Sequence, residues 1–142
     1  SPLPPASCPA RIRAAVTVGV PMPSPTNKMT FLARGWLGAP IHAAALWPSS
    51  SVKIVKGADN LGLYKKTEAS LRQFCKSCGS PVLVGHPGMG MTDVPAGSVR
   101  GLVYKPAVHV HYGEKVMAVR DGLPKFRDFP KEFGGSGEML PE

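Results

Sequence analysis

The chain has 142 residues, 17 Lys and Arg against 9 Asp and Glu, and a formal net charge of +8. That length suits one domain with a real core, and the 16 Gly and 16 Pro favour turns and short strands over long helices. Three cysteines, an odd number, do not make a disulfide framework, and no stretch is apolar for the eighteen or so residues of a membrane span, so a reducing, cytoplasmic setting is expected.

Residues 1–34 are Pro-rich and free of acids. Only Ile12 to Val20 alternates like a strand; the remainder to Lys28 reads as an unstructured tail. The basic Arg11 and Arg13 precede an apolar run too short and too soon closed by Pro21, Pro23 and Pro25 for more than a weak signal peptide. The chain opens at Ser1 rather than Met, and an upstream piece is expected. Met29 to Trp36 is apolar and fits either period.

From Gly35 the character changes. Gly35 to Pro40 reads as a turn, Ile41 to Trp47 as a buried strand stopped by Pro48, and Val52 to Val55 as a strand. Gly57-Ala58-Asp59-Asn60 is a turn, Leu61 to Tyr64 a short strand, Lys65 to Glu68 a polar hairpin tip, and Leu71 to Phe74 the return strand. Further strands are predicted at Val82–Val84, Met91–Val94, Ala107–Tyr112 and Val116–Val119. In Ala107–Tyr112 the alternation puts Val108, Val110 and Tyr112 on one face and His109 and His111 on a solvated one. Asp121 to Pro130 reads as an extended tail anchored by Phe126, Phe129 and Phe133. Many short strands at close spacing predict an all-β fold.

Chemistry concentrates at Arg72-Gln73-Phe74-Cys75-Lys76-Ser77-Cys78-Gly79-Ser80-Pro81. A Cys-x-x-Cys turn followed by Gly lets two thiolates face one metal, which is half of a tetrahedral zinc site. A redox Cys-x-x-Cys needs a helix after it, and Gly79 and Pro81 forbid one. Two plain thiols in a turn is the bland alternative. The other half of the site is short of ligands: Cys8 is the third cysteine, and the fourth ligand stays open among His42, His86, His109 and His111. Against those roles, His42 between Ile41 and Ala43 has the setting of a core histidine, and Trp36 and Trp47 that of core or pocket wall.

The positive charge does not make a nucleic-acid surface. Residues 1–58 carry six basic side chains and no acid, while residues 59–142 carry eleven basic and nine acidic ones. The surplus is a local lack of acids, without the dense basic stripe or interleaved aromatics that track phosphates and stack bases. No phosphate loop and no framed nucleophile–base motif occurs either.

Gly57-Ala58-Asp59-Asn60-Leu61, Tyr64, Arg72 to Gly79, and Asp121-Gly122-Leu123-Pro124-Lys125-Phe126 occur in an order and spacing that resemble the glutathione-dependent formaldehyde-activating enzyme family, which includes the centromere protein V domain. Gly38 to Pro48 resembles the family segment that follows its catalytic cysteines. The resemblance covers about residues 36–142. It implies a β-tent of short antiparallel sheets around a zinc knuckle, and carbon–sulfur lyase chemistry joining formaldehyde to glutathione as S-hydroxymethylglutathione. Its implied partners are therefore a small thiol and an aldehyde. It also implies two zinc sites. Cys75 and Cys78 match the later pair of the structural site, and Cys8 is what remains of its early Cys-x-Cys, with Ala10 at the second position. The catalytic Cys-x-Cys-x-x-Cys would fall near Met29–Gly35, where there is no cysteine, so no catalytic residue is assigned. Residues 1–34 thus read as a divergent segment, disordered or from a shifted frame, ahead of a zinc-binding domain at 35–142. Three functions follow: the lyase, a non-catalytic zinc-binding relative, and a zinc-ribbon nucleic-acid binder, which the charge distribution disfavours.

Overall fold

The structure, a computed structural model, describes residues 13–16, 26–30, 34–99 and 102–142. In chain order its strands are β1 (Arg13–Val16), β2 (Thr26–Thr30), β3 (His42–Pro48), β4 (Val52–Lys56), β5 (Leu61–Thr67), β6 (Ser70–Cys75), β7 (Pro81–His86), β8 (Met91–Pro95) and β9 (Val108–Val110). A single turn of helix, α1 (Arg34–Leu37), and several 3-10 turns connect them. The fold is all-β, as the sequence predicts. Of the described residues, 13–16 and 47–94 form one compact unit, and 26–30, 34–46 and 95–142 form another.

The first unit is built from hairpins. β1 pairs antiparallel with β4, running from Val16 opposite Val52 to Arg13 opposite Lys56. β5, β6, β7 and β8 form an antiparallel meander. Leu61 faces Cys75 at one end of the β5–β6 hairpin, and Thr67 faces Ser70 at the other. β5 therefore runs three residues beyond the predicted Tyr64. The sequence Lys65-Lys66-Thr67, read as a hairpin tip, is exposed strand, and the turn falls at Glu68–Ala69, where the Ala69 amide donates to Thr67 Oγ1. β7 and β8 are joined by a 3-10 turn at Pro87–Met89 that ends at Gly90, whose φ of +63° is the left-handed region glycine tolerates. Trp47, Leu83, Val94 and Cys75 are buried in this unit, with Arg72, Thr92 and Asp93 among them. Burial lowers the Arg72 pKa, and the neighbouring Tyr64 partly opposes this.

In the second unit β2 pairs antiparallel with β3 and parallel with β9. Thr26 to Lys28, read from sequence as tail, are thus strand residues. α1 overlaps the predicted Gly35–Pro40 turn, starting one residue before it, and stops at Gly38, whose φ is +66°. The apolar run of β3 contributes the fully buried Ala44 and Ala45 and the buried Leu46. β9 is shorter than predicted, because His111 adopts a left-handed φ of +54° and Tyr112 enters a 3-10 turn, Tyr112–Glu114. The chain then returns alongside β9. His109 N donates to Pro124 O, Phe126 N to His109 O and His111 N to Asp128 O, at 2.8, 2.9 and 2.8 Å. A last strap runs back over this segment, with Leu140 N donating to Lys125 O and Arg127 N to Glu138 O, both at 2.8 Å.

Two expectations fail here. Val116–Val119 is not a strand: Val116 and Met117 are exposed, and the Val119 amide donates to Tyr112 Oη at 3.0 Å rather than to a ladder. His109 is not on a solvated face but completely buried. The tail does dock on the body, yet its most buried members are Lys125 and Pro130, while Phe133 is 36% exposed.

Candidate metal centre

The knuckle begins where β6 ends. Cys75 is its last residue, buried to 1% exposure, and Cys78 lies three residues on, exposed. Gly79 N donates to Cys75 O at 2.8 Å and Cys75 N to Ser80 O at 2.9 Å, which close the turn on itself. Gly79 has a φ of +75°, the conformation that the residue type anticipated. The turn is braced from the start of β5. Asn60 Nδ2 donates to Cys75 Sγ at 3.4 Å and to Ser77 Oγ at 2.8 Å, and Asn60 O accepts from Lys76 N at 2.9 Å. Asn60 thus fixes the position of the Cys75 sulfur from outside the turn. The Cys78 thiol donates to Ser80 Oγ at 3.2 Å.

Two of the predicted ligands therefore sit on one turn of suitable build. Cys8, the third, lies outside the described residues. Among the described residues no group of three or more His, Cys, Asp or Glu is placed to hold a metal. The histidines kept open as the fourth ligand have other engagements. His86 spans Ala69 O at 3.1 Å and Asp93 Oδ2 at 2.9 Å, tying the β5–β6 turn to β8. His109 Nε2 meets Asp121 Oδ2 at 2.6 Å. The His111 ring stands edge-on to Phe129, with centroids 4.4 Å apart. His42 is half-buried at the start of β3.

A second charged cluster, missed from sequence, lies in the other unit. The Lys125 ammonium, 1% exposed, donates to Asp121 Oδ1 at 2.9 Å, Leu123 O at 3.0 Å and Glu142 Oε1 at 2.8 Å. Burial raises the Asp121 carboxyl's pKa, but hydrogen bonds from Lys125, His109 and the Leu123 amide outweigh it and hold that pKa well below the usual carboxylate range. Burial likewise lowers the Lys125 pKa, and its bonds to Glu142 and Asp121 reverse the sign, leaving it raised. A buried lysine with two carboxylates is a satisfied ion cluster rather than a free nucleophile. Nothing local in Asp121-Gly122-Leu123-Pro124-Lys125 announces burial, because one partner is 17 residues away. Asn60 was more legible, since its turn leads directly into the strand that faces Cys75.

A family model described as glutathione-dependent formaldehyde-activating enzyme matches residues 33–114. The chain belongs to that family. The match includes the knuckle and all four histidines, and leaves out Cys8 and the Asp121–Lys125–Glu142 cluster. No curated protein matches the chain. Among solved structures, a Rhodobacter sphaeroides protein is similar, at 21% identity over 68% of this chain and 87% of that one, with a TM-score of 0.48. No helix among the described residues is long and apolar enough to cross a membrane.

Proposed function

We propose that this protein is a zinc-dependent carbon–sulfur lyase acting on formaldehyde and glutathione or a related thiol, in a reducing cytoplasmic compartment. The family match over residues 33–114 is the observation that carries the reading. In the reaction the thiol sulfur bonds to the aldehyde carbon, the carbonyl π bond breaks, and the thiol proton ends on the oxygen, giving the S-hydroxymethyl adduct; the reverse step returns both reactants. Cys75 and Cys78 would hold zinc with Cys8 as a third thiolate. Bound zinc supplies positive charge that keeps a thiol deprotonated or polarises a carbonyl. The chain's own contribution is the rigid turn: Gly79 sets its path, and Asn60 holds the Cys75 sulfur in place. Residues 35–142, which carry Cys75 and Cys78, are proposed as the zinc-binding domain, with Cys8 contributed from the segment that precedes it.

A second reading has its own observation. Met29–Gly35, where the resemblance places the catalytic cluster, contains no cysteine. A non-catalytic relative would keep the metal at the knuckle and serve a structural or binding role. Exchange spectroscopy of the formaldehyde–glutathione equilibrium separates the two. The lyase reading predicts that catalytic amounts of protein accelerate interconversion of thiol and adduct, and that Cys75→Ser abolishes the effect. An unchanged exchange rate with folded, zinc-loaded protein would leave only the non-catalytic reading.

A further inference from the structure

Glu142 is held by donors that converge on one point. Its Oε1 accepts from the Asp121 amide at 3.1 Å, the Gly122 amide at 2.5 Å and the Lys125 ammonium at 2.8 Å. Two successive backbone N–H groups aimed at one anion form a nest, and the left-handed φ of +75° at Gly122 bends the chain into it. Behind the nest Lys125 is shut off from solvent at 1% exposure, so a carboxylate seated there gains a charge-assisted bond to it. The Asp121 carboxylate, itself held by His109 Nε2, also accepts from the ammonium. The receptor is thus preorganised by residues other than its occupant.

The occupant is more loosely tied than the receptor. The Glu142 side chain is 38% exposed and presents one oxygen to all three donors. The strap it belongs to is held at Glu138 and Leu140 by backbone bonds to Arg127 and Lys125, and at Met139 by a bridge to Phe126. Rotation of the Glu142 side chain alone would empty the nest and leave the strap in place. An incoming carboxylate replaces the same charge, so the cluster's balance is unchanged.

We propose that the Asp121 and Gly122 amides with the Lys125 ammonium form a carboxylate-binding site, occupied in cis by Glu142, which exchanges that side chain for the carboxylate of a small acid or peptide ligand. The inference stands apart from the thiol chemistry and from the metal. The test follows the Asp121 and Gly122 amide resonances of the full chain by NMR while adding sodium acetate, or S-methylglutathione as a peptide carboxylate with a blocked thiol, against sodium chloride at equal ionic strength. Glu142→Ala removes the internal competitor. If Glu142 fills the nest about nine-tenths of the time, the variant binds about tenfold more tightly than the parent chain. Shifts with both probes, or with either alone, support the site, and the difference tells a free acid from a peptide. Adding Lys125→Met to the variant should abolish them, with amide dispersion reporting that the chain is still folded. Should Glu142→Ala not fold, Glu142→Gln keeps the shape without the charge and carries the same comparison. A folded variant whose nest amides respond to neither probe, or respond as strongly without the lysine, overturns the proposal.

Discussion

Replacing Asp121 by alanine should expose how far the second unit depends on its buried ions. The substitution removes the acceptor of the Lys125 ammonium at 2.9 Å and of His109 Nε2 at 2.6 Å, and both donors are buried, at 1% and 0% exposure. Lys125 keeps Leu123 O and Glu142, so its loss is about 1.5 kcal/mol, the lower end for a bond to a charged group. His109 loses its carboxylate in a sealed site, worth about 2 kcal/mol. Asp121 itself is 31% exposed, so water recovers part of this, and a net destabilisation of about 3 kcal/mol is expected. For a chain of this size that corresponds to a fall in Tm of about 10 °C, or a urea midpoint lower by about 1–2 M. Urea unfolding at pH 7 measures it directly. The pH dependence has a definite sign. The folded state lowers the Asp121 pKa, so its stabilisation is complete above the unfolded value, about pH 4, and drains away as the pH falls below it. The gap between parent and variant should therefore close on acidification. A loss under about 1 kcal/mol at pH 7, or a gap that widens toward low pH, would mean that the Asp121 bonds do not hold this unit together.

Two further substitutions test the knuckle's supports. A Cβ at Gly62 would collide with the ring of Phe74, its partner across the β5–β6 ladder. Gly62→Ala should cost about 1–3 kcal/mol by overpacking, and Phe74→Leu in the same chain should recover part of that loss, as a double-mutant cycle would record. Asn60→Ala removes the donor to Cys75 Sγ and to Ser77 Oγ, and should weaken zinc binding by about 10-fold or more in a chelator competition, with the midpoint of unfolding in chelator little changed. Equal zinc affinity in the two proteins would remove Asn60 from the account.

Local chemistry was readable wherever it decided the structure. The run Ile41–Trp47 closed by Pro48 became β3 because an apolar stretch that short buries itself most simply as a strand. Gly79 adopted the left-handed φ that a Cys-x-x-Cys-Gly turn requires. Alternation misled where a partner came from far along the chain. His109 follows the polar phase of β9, yet Asp121, twelve residues on, satisfies it inside the protein. Val116–Val119 alternates but has no ladder partner, and Tyr112 Oη takes the Val119 amide instead. Lys65 and Lys66 looked like a tip because edge strands carry lysine on their open side as readily as turns do. Of the candidate ligands, spacing placed Cys75 and Cys78 together, whereas nothing in the sequence revealed that His86 and His109 bind carboxylates.

The zinc content of purified protein, with Cys75→Ser alongside, decides whether the knuckle is a metal site. About one zinc per chain is expected in the parent, and its loss in the variant, because the metal's binding energy would depend on both thiolates of the knuckle. A folded parent chain without zinc, or a Cys75→Ser protein that keeps it, would contradict the assignment of Cys75 and Cys78 as metal ligands.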